Sequence, residues 1–177
     1  MEHKAFVFDY EAFMAQLGDI LWQALATDTV KPLIGFIRAN EGELTDPYEG
    51  APLESDWEDR LEQRDVQEYG NYALTKFYDR DDNIGLRYDW QLIQEVLSRE
   101  LEGNASAILG EPFGPSHNLF DPGRMGTYFQ SPRQVVHNLR LVEDLERQKP
   151  DLATTLSRLT RMLRRAADVQ KGLYVAI

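Results

Sequence analysis

Apolar residues recur along this chain at two periods, and the alternation between them predicts the order of elements. The run Ala5 to Asp9, with two Phe and one Val, reads as a short strand. Asp9 is placed to cap a helix from Tyr10 to about Ala26, where Phe13, Leu17, Ile20, Leu21 and Ala24 fall at helical spacing. A shorter helix follows Thr29, with Pro32 in its first turn and Leu33, Ile34, Phe36 and Ile37 facing inward. Asn40 to Pro52, punctuated by Gly42, Pro47, Gly50 and Pro52, reads as a loop.

Ser55-Asp56-Trp57-Glu58 has the capping-box pattern, in which the serine hydroxyl and the glutamate each satisfy one orphaned backbone amide. The spacing predicts a helix opening there, with Trp57, Leu61, Val66, Tyr69, Ala73 and Phe77 inward and a bend near Asp65 or Gly70. After a turn at Asp79 to Gly85, Ile84 to Tyr88 reads as a short strand. Asp89 is then expected to cap a helix through Leu101 that buries Trp90, Ile93 and Leu97. Gly103 to Pro132 reads as one long irregular stretch, since it holds 5 of the 12 Gly and 4 of the 8 Pro. Ser131-Pro132-Arg133-Gln134 is a second capping box, opening a helix with Val135, Leu139, Val142 and Leu145 on its apolar stripe. Pro150 separates it from a last helix, about Asp151 to Gln170, with a seam of Leu152, Leu156, Leu159, Leu163 and Ala166. Gly172 stops that helix, and Leu173 to Ile177 reads as a strand.

An isolated strand leaves its backbone groups unpaired, so the two end strands are expected to pair with each other. The fold class is therefore α+β and helix-dominated, with about six helices and a small sheet joining the amino- and carboxyl-terminal strands. With 177 residues and 42% hydrophobic content, one globular domain spanning 1–177 is the expectation.

Charge changes this picture more than composition does. Residues 1–120 carry 24 of the 30 carboxylates but only 9 of the 19 Lys and Arg, so the first two thirds is strongly acidic and the last third mildly basic. A net charge of -11 opposes binding to nucleic acid or to an anionic membrane. The amino end lacks a signal-peptide apolar region, and the longest later apolar cluster, Leu33 to Ile37, is far too short to span a bilayer, so a cytoplasmic protein is expected. The chain has no cysteine, which excludes disulfides, thiolate catalysis and Cys-ligated zinc.

No catalytic motif of any strength is present, so an enzyme is the weaker expectation and no cofactor is implied. Asp79-Arg80-Asp81-Asp82-Asn83-Ile84-Gly85 approaches a calcium loop, but its glycine comes one residue late and Trp90 stands where the closing glutamate belongs. His3, His117 and His137 do not fall at metal-ligand spacing, so no metal site is expected. Glu58, Glu62 and Asp65 would form one acidic stripe on the capping-box helix without a cation in register, and the surface centred on Glu54 to Glu68 adds Asp56 and Asp59. On the last helix, Arg158, Arg161, Arg164 and Arg165 lie opposite the leucine seam. Two expectations follow, along with a monomer or homodimer. The first is a non-enzymatic acidic binding module for a basic protein partner, using Glu54, Asp56, Glu58, Asp59, Glu62 and Asp65, as an inhibitor or immunity-type protein would. The alternative is a small-molecule-binding protein or enzyme with a site in the loop 110–132, drawing on His117, Asp121, Arg124 and Tyr128.

Overall fold

The computed structural model describes residues 1–101 and 107–177, and Gly103 and the Asn104-Ala105-Ser106 sequon lie outside the described residues. Three antiparallel strands form a sheet in the order β1-β3-β2: β1 is Lys4–Phe8, β2 is Thr127–Gln130 and β3 is Gly172–Ala176. The two end strands pair as expected, with Lys4 opposite Ala176 and Phe8 opposite Gly172. β2 is a correction to the sequence reading, which left Thr127-Tyr128-Phe129 inside a loop. It adds to the far side of β3, and its own outer edge pairs with the loop, where Glu111 and Phe129 exchange backbone bonds of 2.8 Å.

Six helical rods accompany this sheet among the described residues. The first comprises α1 (Tyr10–Phe13), a π-helical turn at Met14–Gly18 and α2 (Asp19–Thr27). The others are α3 (Lys31–Asn40), α4 (Val66–Leu74), α5 (Trp90–Glu100), α6 (Pro132–Gln148) and α7 (Ala153–Asp168). The architecture is α+β and helix-dominated. Strand pleating sorts the core into two layers. Phe6, Phe8, Phe129 and Tyr174 project to one face and join Phe13, Leu17, Leu21, Leu33, Tyr69 and Phe77 from the early helices. Ala5, Val175 and Leu173 project to the other and meet Leu86, Leu97, Val142, Leu159 and Leu163 from the late ones. The first layer is unusually aromatic. Phe13 and Phe129 stack with ring centroids 5.4 Å apart and planes 4° from parallel, a contact worth about 0.5–1.5 kcal/mol beyond its buried area.

The caps show which local signals hold against tertiary packing. Asp9 accepts the Ala12 amide, and Ser131 and Gln134 form both bonds of their capping box (3.3 and 2.8 Å). The Ser55 box does not form. Trp57–Arg60 is a single 3-10 turn, Leu61 is extended, and the helix starts only at Val66, capped by Asp65 through the Glu68 amide at 2.9 Å. The break lets the Trp57 indole pack edge-on against Tyr69 and donate to Glu41 at 3.1 Å. Asp89 likewise precedes α5 without a side-chain cap, its carboxylate pairing instead with Arg158 at 2.6 Å. The expected strand over Ile84 to Tyr88 is an irregular edge: Arg87 pairs with His3, but the Asn83 side chain takes the Ala5 amide at 3.2 Å and interrupts the ladder. Gly85 is required there, because a Cβ would lie 2.4 Å from the His3 carbonyl oxygen.

Candidate partner-docking site

Without a helix through residues 55–65, the acidic stripe of Glu58, Glu62 and Asp65 does not exist as a stripe. Each carboxylate takes its own place. Glu54 and Asp56 both grip Arg60, and Glu58 bonds Arg38 at 2.9 Å. Asp59 stands 3.8 Å from Arg64, and Asp65 is spent as the α4 cap. Of the six, Glu62 alone is exposed with neither an ion pair nor a capping role among the described residues. The guanidinium groups of α7 do not reach this region. Arg164 pairs with Glu143, Arg165 with Asp82 and Arg158 with Asp89.

The structure nevertheless gathers carboxylates, from a different set of residues. The loop before α4 turns at Asp46, whose Oδ1 accepts the Tyr48 and Glu49 amides at 2.7 and 2.8 Å, and Gly50 closes the turn with φ of 74°. Asp46 Oδ2 also accepts the Tyr72 hydroxyl at 3.0 Å, which ties the turn to α4. One turn into α4, Glu68 is 6% exposed and accepts the Tyr48 hydroxyl at 2.8 Å. Between turn and helix lies a recess of about 300 Å³, walled by Asp46, Tyr48, Glu49, Glu62, Glu68 and Tyr72. Arg60 reaches its rim but is already committed to Glu54 and Asp56.

The electrostatics of the recess are those of an uncompensated anion site. Burial raises the Glu68 carboxyl above its usual range, the bond from Tyr48 opposes that rise, and the charges of Asp65, Glu62 and Asp46 add to it. Burial and the adjoining Glu68 push the Tyr48 hydroxyl up to about 12, so it remains a neutral donor at physiological pH. A cation entering here would relieve like-charge repulsion and meet two phenol rings. Aromatic faces favour cations for the same electrostatic reason that carboxylates do.

Of the recess carboxylates, Glu62 alone belongs to the set predicted from sequence, and Asp46, Glu49 and Glu68 do not. Their one sequence signal is the Asp46-Pro47-Tyr48-Glu49-Gly50 turn, whose acidic residues lie close to a helix only after folding.

The other predicted group, His117, Asp121, Arg124 and Tyr128, is not brought together around one cavity. His117 is exposed. Asp121 accepts the Gly126 amide at 3.1 Å and the Thr127 hydroxyl at 3.3 Å, and Arg124, at φ of 54°, donates to Gln63 at 3.3 Å. Tyr128 packs on the late-helix face of the sheet. Around them Phe113, Phe120 and Phe129 fold the loop into the aromatic core.

No group of three or more metal-binding side chains occurs among the described residues, and the near-calcium loop is tied up locally, with Asp82 on Arg165 and Asp79 on the Asp81 amide. None of the described helices is long and apolar enough to cross a membrane. Comparison with models of protein families, with curated proteins and with solved structures gave no match.

Proposed function

We propose that this chain is a non-enzymatic binding protein that docks a basic protein partner, seating a Lys or Arg side chain of that partner between the Asp46 turn and α4. The observation that carries this reading is the recess itself: four carboxylates and two tyrosines around a space whose one cation is already spoken for. The net charge of -11 would steer a cationic surface toward it, raising the association rate and rejecting acidic partners. Inhibitors and immunity-type proteins that neutralise a basic toxin or nuclease would use such a face, an analogy that rests on charge and size.

Titrating isotopically labelled protein with a short peptide of alternating lysine and glycine tests it. The expected result is that amide signals of Tyr48, Glu49, Glu62 and Glu68 move first, that salt weakens the effect, and that the double change Glu49→Lys and Glu62→Lys removes it. Shifts spread evenly over remote carboxylates such as Glu95 and Glu111, or untouched by the double change, would defeat the proposal.

A further inference from the structure

The alternation of side chains on the sheet sets one part of its aromatic face against a cavity. Along this face the row Phe6, Tyr174, Phe129 is followed, one pleat further out, by Lys4, Ala176, Thr127. The central residue of the outer row is therefore small, flanked by a cation and a hydroxyl. Together with Pro47, Tyr48, Tyr78, Arg80, Pro122, Gly123 and Gly126, this outer row lines a cavity of about 300 Å³. That is the lower limit of ordinary small-ligand pockets.

Its lining has a definite chemical character. The base is aromatic: Tyr78 and Tyr174 ring centroids lie 4.9 Å apart, with Phe6 5.0 Å from Tyr78 and 5.8 Å from Tyr174. Its charged side chains, Lys4 and Arg80, are both cationic, and neither makes an ion pair among the described residues, although carboxylates outnumber cations in this chain; Asn71 and the backbone of Ile177 complete the polar lining. Asp121 is not part of the lining, although its charge acts on Tyr174, and it is occupied by the Gly126 amide and the Thr127 hydroxyl. Burial pushes the Tyr78 hydroxyl up to about 12 while the Arg80 charge opposes that shift, so Tyr78 offers a neutral O–H beside a guanidinium. In an acidic protein an arginine without a carboxylate is ordinarily just solvated. Two cations at one aromatic-based cavity instead form a complementary receptor for an anion carrying a flat ring, because ring and charge are then satisfied together.

We infer that the cavity between Lys4, Arg80 and the Tyr78–Tyr174 pair is a binding site for a small aromatic carboxylate. The ring lies over the tyrosines and Ala176, and the carboxylate meets Arg80 and Lys4. This site is separate from the acidic recess and does not depend on the partner-docking reading. Tyr48 stands between them, its hydroxyl on Glu68 and its ring against the cavity.

The test is a titration of labelled full-length protein with benzoate, with benzylamine as a probe of the same ring and opposite charge and acetate as the charge without the ring. Benzoate is expected to shift the amides of Gly123, Gly126, Thr127 and Ala176 saturably and in slow or fast exchange at one site, with acetate and benzylamine at least about tenfold weaker, a difference of about 1.4 kcal/mol. Replacing Lys4→Gln and Arg80→Gln together should weaken benzoate at least about tenfold. Both side chains reach the surface, and unchanged signals elsewhere confirm that the fold persists. Charge reversal at both positions, Lys4→Glu and Arg80→Glu, should turn the preference toward benzylamine. Absence of saturation up to roughly 10 mM benzoate, equal binding of benzylamine by the unmodified protein, or unaltered affinity in the double glutamine variant would each overturn the inference.

Discussion

Asn138 and Gln130 offer the sharpest quantitative test of the packing between sheet and late helices. Gln130 is fully buried at the end of β2, and Asn138 on α6 is 6% exposed. The Asn138 amide donates to Gln130 Oε1 at 2.9 Å, and the Gln130 amide donates to the Ala107 carbonyl at 3.1 Å, so one short chain of bonds satisfies groups that water cannot reach. Changing Asn138→Leu keeps the heavy-atom count and branching but strands Gln130 Oε1, which should cost about 1–3 kcal/mol. With an urea slope of about 2 kcal/mol/M for a chain this size, the midpoint should fall by roughly 0.5–1.5 M with the slope unchanged. Gln130→Met should cost a similar amount, because it leaves the Asn138 amide and the Ala107 carbonyl without partners. The double variant removes both halves of the inner bond. It should lose clearly less than the sum of the singles, with a coupling of at least about 1 kcal/mol. Additivity within about 0.5 kcal/mol would refute the claim that the two amides form one satisfied unit.

Three further outcomes follow from the same structure. His3 is fully buried, with Nε2 donating to the Ile108 carbonyl at 3.2 Å and Nδ1 accepting the Leu86 amide at 3.2 Å; burial lowers its pKa below 6.5. The unfolded chain therefore binds the extra proton first, stability should decline as pH falls from 6.5, and His3→Gln should flatten that decline in denaturant midpoints measured down to about pH 5. Glu68 has the opposite sense: its raised carboxyl pKa means a penalty fully present at neutral pH that is relieved as pH falls toward 4.5, so Glu68→Gln, which can still accept from Tyr48, should melt no lower than the parent at pH 7, and a lower melting temperature there would contradict the burial argument. Gly172→Ala would place a Cβ 2.3 Å from the Gln130 carbonyl oxygen and 2.9 Å from Tyr10 Cβ, so it should cost on the order of 3 kcal/mol by thermal melting, and a neutral substitution would show that β3 can shift against β2.

The elements legible in the sequence were those whose local chemistry and tertiary packing agree. At Ser131 the capping box, the proline at the first helical position and the apolar stripe of α6 all point to one start, and that start is observed. β1 and β3 were readable because apolar, β-branched and aromatic residues fill four or five consecutive positions. At Ser55 local and tertiary demands conflict. The box would start a helix, but Trp57 gains more by turning inward to Tyr69 and Tyr72, and Asp65 supplies an equivalent cap ten residues later. β2 was hidden by its four-residue length and by Gly126 and Pro132 on either side, which look like loop until a partner strand is in place. The acidic recess was invisible for a different reason. Asp46 and Glu68 are 22 positions apart, and the hydroxyl bonds of Tyr48 and Tyr72, with the Thr45 amide on the Thr75 hydroxyl, draw them to one space. That Lys4 and Arg80 line one cavity is likewise hidden, since the pleat of β1 places Lys4 and the turn after Tyr78 places Arg80, and nothing in either residue's neighbourhood in the sequence distinguishes it from an ordinary solvated cation.

Because β3 lies in the middle of the sheet, β1 and β2 have no bond to one another and each waits for residues 172–176. The segment Ala5-Phe6-Val7-Phe8 has irregular backbone bonds to residues 77–87 on one side and meets β3 on the other only once residues 172–176 are made, so a chain halted before Gly172 carries an apolar edge open toward the missing strand. The same geometry means that a synthetic peptide matching the last strand could dock between the two waiting edges of a truncated polypeptide and restore it in trans.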